Sequence, residues 1–390
     1  MEKWISYLDE LSKIKQETTS CCSFDIKNGK NKTKEPPFEK ALKIVQMENI
    51  NEIGDLMKLV IQNPLCPNTE YNIQLEMLHE IYPELCELDN MIGMDAVKSN
   101  VLDQILYFLQ GLHKNDLLKS TETEKLDYVD YKHTVLIGPP GTGKTELAKI
   151  LGKLFLKLSQ PLNNTNNSET GETKTKPTGV FKKVTRNDLV GGYLGQTAIK
   201  TKEVIKNCLG GVLFIDEAYS LNHGGDRPDS FAKECIDILC ESLSFHRNDL
   251  MVIIAGYEKE MTEFLKTNEG LESRFIWRYK IDPYTPEELA CIFLKMCDEQ
   301  GWFIEYDRGV LIQWFSKNKA NFKSYGRDVE KLMTQVKIKH SRRLFNQQGK
   351  TAAVKKRLSI EDMDEGYEVF LKQRHLPTNE PSLALQSMYI

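Results

Sequence analysis

Gly138-Pro139-Pro140-Gly141-Thr142-Gly143-Lys144-Thr145 lies between two patterned segments. Before it comes a short β-branched run, His133-Thr134-Val135-Leu136-Ile137. After it, Leu147, Ile150, Leu151 and Leu154 recur at helical spacing. Strand, glycine-rich turn and helix in that order is the setting of a phosphate-binding loop, the Walker A motif. Its glycines let successive N–H groups curl around an anion with no Cβ in the way. The helix aims its unpaired first amides and the positive end of its dipole at the same point. Lys144 is then expected to reach the β- and γ-phosphates of a nucleoside triphosphate, and the Thr145 hydroxyl to ligate Mg2+.

Downstream, Gly211-Val212-Leu213-Phe214-Ile215 is an apolar run ending in Asp216-Glu217. In an α/β sheet such a strand end opens on the ligand crevice. Asp216 is expected to hold Mg2+, directly or through water, and Glu217 to polarise the water that attacks the γ-phosphate. An apolar strand ending in two acids is weak evidence alone. Behind an upstream phosphate loop it completes a phosphoryl-transfer pair, the Walker B motif. That chemistry needs charge neutralisation and an oriented nucleophile more than covalent help.

The 390 residues allow two or three domains. A formal charge of −4 argues against a global attraction to nucleic acid or anionic lipid. No apolar run approaches bilayer length, and Met1-Glu2-Lys3-Trp4 lacks the apolar core of a signal peptide, so a cytoplasmic, soluble chain is expected. The nine cysteines form no CxxC pair and the seven histidines no metal-ligand spacing. Buried thiols and core or surface histidines are the expected roles.

Strand signals at Val180–Val184, Val212–Ile215, Met251–Ala255 and Arg278–Ile281 alternate with helical patterns, which predicts a mostly parallel sheet covered on both faces. Residues 1–87 read as a helical N-terminal extension. It holds an amphipathic helix near 1–20 (Trp4, Leu8, Leu11), a lysine-rich linker near 27–37, and a helical pattern from Phe38 to about Leu88 interrupted by Pro64, Pro67 and Pro83. It could serve as a partner-binding domain or pack on the core. Residues 88–283 form the α/β domain, with a polar Asn-, Thr- and Ser-rich stretch at 160–177 expected as a disordered insertion. Residues 284–373 read as all-helical, the last helix capped by Ser359 and Asp362, and 374–390 as a tail.

Between about Leu88 and Leu371 the chain resembles AAA+ ATPases of the CfxQ/CbbX and stage V sporulation protein K family, which includes red-type rubisco-activase motors and components of secretion systems. The segments that carry the resemblance are the phosphate loop, Asp216-Glu217-Ala218-Tyr219-Ser220-Leu221, Leu88 to Lys98, Asp188 to Lys202, Ala255-Gly256-Tyr257, Asn268 to Phe275 and Gly326-Arg327. The resemblance implies a P-loop AAA+ sheet domain followed by a small helical lid, with ATP as the nucleotide. It implies that Ile92 and Gly93 frame adenine and that Tyr193 and Leu194, in Gly192-Tyr193-Leu194-Gly195, form a pore loop that grips a protein client. It places Arg274 as an arginine finger supplied to the neighbour in a homo-hexamer, and Arg327 as the lid's sensor of the γ-phosphate. Gly256-Tyr257-Glu258 stands where other AAA+ branches carry a polar sensor, which leaves that residue unassigned. Asn268-Glu269-Gly270 lacks the proline many family members carry in the finger loop. The functional expectation is an ATPase that remodels or threads a protein client. The alternatives are a nucleotide-gated scaffold and, against the charge, a DNA-acting initiator or clamp loader.

Overall fold

The computed structural model describes residues 41–45, 49–66, 69–112, 131–158, 179–193, 195–222, 229–247, 249–266, 268–345 and 354–374. The helix expected near 1–20, the 27–37 linker, the 160–177 insertion, Leu194 and the tail beyond Arg374 lie outside them. The described residues fall into two compact units, one within 1–137 and 145–280, the other within 138–144 and 281–390.

In the first unit the chain runs β1 (Ala41–Lys43), α1 (Ile53–Gln62), β2 (Thr69–Tyr71), α2 (Leu75–Asp89), α3 (Asp95–Leu109), β3 (Thr134–Ile137) and α4 (Lys144–Leu158, from Thr145 on). It continues through β4 (Phe181–Val184), α5 (Arg186–Leu189), α6 (Gln196–Lys206), β5 (Gly211–Ile215), a 3-10 turn (Ala218–Asn222), α7 (Ser230–Phe245), β6 (Leu250–Gly256), α8 (Glu258–Lys266), α9 (Glu269–Glu272) and β7 (Trp277–Lys280). The main sheet has the order β4-β5-β6-β3-β7 and every pairing is parallel. Ile215 lies opposite Ile254 and Ile137 opposite Gly256, so β3, β5 and β6 end on one edge.

The central strands β5, β6 and β3 are buried on both faces, or nearly so, which is why they read as continuous apolar runs, while the edge strands β4 and β7 carry exposed positions. Alternation divides the faces. Val135, Leu213, Ile215, Val252 and Ile254 join α6, α7 and α8 in one cluster. On β5, Val212 faces α4, where a Cβ on Gly152 would lie 3.2 Å from the valine and 3.1 Å from the Phe181 ring. That close approach seats the phosphate-loop helix on the sheet. Each fully buried Leu, Ile or Phe contributes about 1.5–3 kcal/mol. Helix α2 is tied to α4 by Lys157–Glu84 (2.6 Å) and Lys153–Glu87 (3.1 Å), the Glu84 carboxylate being almost fully buried.

Three sequence expectations need correction. The Phe38–Leu88 region is not wholly helical, because β1 and β2 form a short parallel pair. Pro83 does not interrupt it but sits inside α2. An internal proline costs a helix about 3 kcal/mol, and α2 offsets this by burying Leu75, Leu78, Ile81, Tyr82, Leu85 and Leu88. The C-terminal part is not purely helical either, as two short strands pair within it.

That second unit holds the turn 138–144 and then α10 (Pro286–Glu299), β8 (Phe303–Ile304), α11 (Arg308–Asn318), α12 (Tyr325–Phe345), β9 (Arg357–Leu358) and α13 (Ile360–Arg374), with β8 parallel to β9. Proline at the first position of α10 and a Thr285–Glu288 capping box mark its start. Its core is aromatic: Trp314, Phe315, Phe322, Tyr367 and Phe370 meet at ring separations of 5.0–6.3 Å. The Ser359–Asp362 box forms as expected. Burial alone would raise the Asp362 carboxyl, but the Arg343 guanidinium, the Ser359 N–H and His340 together hold it at about 2.

Candidate functional site

The turn 138–144 takes its shape from glycines and from the unit it belongs to. Gly141 (φ 73°) and Gly143 (φ 84°) occupy the left-handed region. Thr142 is fully buried and its hydroxyl donates to the Pro139 carbonyl (2.8 Å), while the Tyr284 hydroxyl donates to the Thr142 carbonyl (3.1 Å). Burial pushes the Tyr284 phenol up to about 12, which keeps it a donor. Gly326 N–H donates to the Gly141 carbonyl (3.0 Å), and a Cβ on Gly141 would stand 1.9 Å from the Ser324 carbonyl oxygen. Ser324 is held in turn by the buried Asp328, which accepts from Ser324 N–H (2.8 Å) and pairs with Arg374 (2.5 Å). The start of α12 is thus bonded to the phosphate loop backbone to backbone. Arg327, third in α12, is exposed, and its guanidinium has no carboxylate partner among the described residues. Lys144 reaches back with its ammonium to the Gly138 (2.7 Å) and Pro139 (2.8 Å) carbonyls.

Gly141→Ala tests this packing. The new Cβ meets both a left-handed φ, which costs about 1–2 kcal/mol, and the Ser324 carbonyl. ATP affinity is expected to fall at least about tenfold, read by calorimetry against the unchanged chain. Binding within twofold of that chain would show that the docked geometry has no part in holding nucleotide.

In the first unit, the carboxyl edge of the sheet carries the paired acids. The Asp216 N–H donates to the Val184 carbonyl (3.0 Å), which registers Asp216 at the end of β5. Its Oδ1 accepts the Glu217 N–H (3.1 Å) and its Oδ2 is 2.6 Å from the Lys183 ammonium. Glu217 has φ 51°, an uncommon and costly conformation for a residue with a Cβ, and its side chain is exposed. The Ser220 N–H donates to its carbonyl (2.8 Å) and leads into the 3-10 turn. Tyr219 packs on Tyr257, ring centroids 5.7 Å apart, where β6 ends. Burial first, and then the Glu217 carboxylate, push the Tyr219 phenol up to about 12. An aromatic pair therefore stands where the sequence left a sensor unassigned. Thr145 follows the first residue of α4, half-buried. Its hydroxyl and the Asp216 carboxylate are hard oxygen donors, the set that suits Mg2+.

Ile92 and Gly93 are half-buried in the turn between α2 and α3, where Gly93 and Met94 are both left-handed and Lys98 ties down the Asp89 and Met91 carbonyls. Arg274 lies at the end of α9, its guanidinium donating to the Ser244 hydroxyl (2.7 Å) and the Gly270 carbonyl, with no carboxylate partner among the described residues. Tyr193 is 75% exposed at the tip of the Gly191–Gly195 turn. Sequence reasoning missed Lys183, Arg186, Tyr284, Ser324 and Asp328. Lys183 carries a faint signal, a cation on the strand beside an acid-ended one. The others act through backbone groups or through ion pairs to distant residues (Arg186 with Asp229, Asp328 with Arg374), and no spacing reveals those.

Residues 134–279 match the ATPase family associated with various cellular activities (AAA). The chain is 32% identical over 342 residues to a cfxQ-like protein of Acanthamoeba polyphaga mimivirus, covering 87% of this chain and 76% of that one. It is 31% identical over 313 residues to stage V sporulation protein K of Bacillus subtilis (79% and 87%). To the chloroplastic ribulose bisphosphate carboxylase/oxygenase activase of Cyanidioschyzon merolae it is 33% identical over 284 residues (72% and 89%). Among the described residues no helix is long and apolar enough to cross a membrane. With the phosphate loop after β3, the paired acids after β5 and an all-parallel sheet between them, these relationships make the chain an ATP-hydrolysing member of the CfxQ and stage V sporulation protein K family of AAA ATPases.

Proposed function

We propose that the chain works as a homo-oligomeric ring, most simply a hexamer, which spends ATP on moving a protein client past Tyr193. ATP lies along Gly138–Thr145 with its phosphates on the loop amides and Lys144, and Ile92 and Gly93 border the adenine. Thr145 and Asp216 would hold Mg2+, which would supply charge neutralisation at the phosphates. Glu217 orients and deprotonates the attacking water, Arg327 senses the γ-phosphate, and Arg274 serves the nucleotide of the neighbouring subunit. The observation that carries this reading is Tyr193, a large side chain 75% exposed at the tip of a glycine-flanked turn whose base is hydrogen-bonded to α6. A tyrosine left in water on a firm base suits gripping better than packing.

The test couples assembly to turnover. The specific ATPase rate is expected to rise with protein concentration as rings form, with mass photometry showing the ring in ATP. Tyr193→Ala is expected to keep assembly and basal hydrolysis but lose the stimulation that an unfolded polypeptide such as casein gives the unchanged chain. A monomer that hydrolyses ATP at one specific rate across all concentrations would end the ring reading. Casein stimulation that survives Tyr193→Ala would favour a nucleotide-gated scaffold.

A further inference from the structure

Arg186 opens α5, four residues long, which runs directly into the Tyr193 turn. Its guanidinium makes two bonds. Nη1 donates to the Ser220 carbonyl (2.7 Å), and Nη2 pairs with the Asp229 carboxylate. Ser220 belongs to the 3-10 turn behind Glu217, and its N–H donates to the Glu217 carbonyl (2.8 Å). Asp229 caps α7, its other oxygen accepting the Phe231 (3.0 Å) and Ala232 (3.2 Å) amides. Both partners are mostly shielded from water, the Arg186 and Asp229 side chains being 27% and 17% exposed. Burial would raise the Asp229 carboxyl, but the Arg186 hydrogen bond and the α7 amides pull it below the usual carboxylate range.

On its other side α5 is fastened to the tip. Val190 N–H donates to the Arg186 carbonyl (2.9 Å), and the Thr201 hydroxyl to the Leu189 carbonyl (3.0 Å). Gly191 N–H donates to the Thr197 hydroxyl (3.0 Å), and the Lys200 ammonium to the Val190 carbonyl (3.3 Å). A continuous hydrogen-bonded chain therefore runs from the Glu217 peptide through Ser220, Arg186 and α5 to the base of the Tyr193 turn. One helical turn cannot hold itself in water, so its position follows the groups bonded to it. Directional bonds from a planar fork transmit a displacement of the 3-10 turn more faithfully than apolar contacts, which can slide.

We propose that Arg186 is the positioning residue that couples the hydrolytic turn at Glu217–Ser220 to the Tyr193 tip, so that a change at the γ-phosphate becomes a movement of the tip. It touches neither nucleotide nor client. The proposal rests on the functional reading above and deepens it by naming the link.

The test uses the full chain with a fluorine-labelled tyrosine at position 193, in a Glu217→Gln background that prevents turnover. The 19F shift is expected to differ between ATP with Mg2+ and ADP. In Arg186→Gln that difference is expected to collapse by at least about half, while ATP and ADP affinities by calorimetry stay within about threefold and the thermal midpoint is unchanged. Should Arg186→Gln fold poorly, Asp229→Asn keeps an N-cap residue but removes the charge partner, and is expected to shrink the difference as well. A full-sized difference in either folded variant overturns the link, as does a parent chain that binds both nucleotides with one shift. Failure of the parent chain to bind ATP would instead overturn the functional reading itself.

Discussion

Glu217→Gln is expected to lower the ATP hydrolysis rate about 10²–10⁴-fold, the usual contribution of a positioned general base, and to leave ATP affinity within a few fold. The expectation follows from where the strand puts the residue. Asp216 is registered by its backbone bond to Val184 and turned toward Lys183, which leaves the chain to reverse at Glu217 in a left-handed conformation. That reversal leaves the Glu217 side chain exposed to solvent, without a hydrogen-bond partner among the described residues. Glutamine preserves size and hydrogen bonding but cannot accept the proton. Phosphate release at saturating ATP measures the first quantity and calorimetry the second. Hydrolysis within threefold of the unchanged chain would remove Glu217 from the base role. A parallel loss of binding would make it a binding residue.

Arg274→Ala is expected to slow hydrolysis about 10³–10⁵-fold, the range for an arginine finger, again with nucleotide affinity little changed. Among the described residues of its own subunit the guanidinium bonds to neutral groups, the Ser244 hydroxyl and the Gly270 carbonyl. A cation held that way loses little when it turns to an anion, because it gives up no ion pair. The decisive measurement is a mixture. Arg274→Ala subunits keep Glu217, and Glu217→Gln subunits keep Arg274, so a mixed ring contains sites with both groups. Activity that returns on mixing two nearly inactive proteins supports a finger given across a subunit boundary. If it never returns although mixed rings form, Arg274 acts within its own chain or not at all.

Both residues were visible in the sequence, for different reasons. Glu217 could be found from local pattern, because an apolar run ending in two acids behind a phosphate loop has few other uses. Arg274 could be singled out only through resemblance, since an arginine near a glutamate in a polar loop is otherwise an ordinary surface residue. In the structure the nearby Glu272 pairs with Arg278 instead, at 3.2 Å. Pro83 shows the opposite failure. Its local rule, that proline ends helices, lost to the burial of the helix around it.

By itself the sequence determined the nucleotide class, the parallel sheet and the identity of the residues at the strand ends. Those depend on interactions between neighbours in the chain, namely glycine φ angles, strand alternation, helix spacing and the dipole at a helix start. Only the tertiary structure decided which groups brace them: Tyr284, Ser324 and Gly326 on the phosphate loop, Lys183 on Asp216, and Arg186 between Ser220 and Asp229. Those contacts join residues far apart in the chain, mostly through backbone carbonyls and amides that every residue possesses. Side-chain identity carries no record of such a bond until folding brings its two ends together.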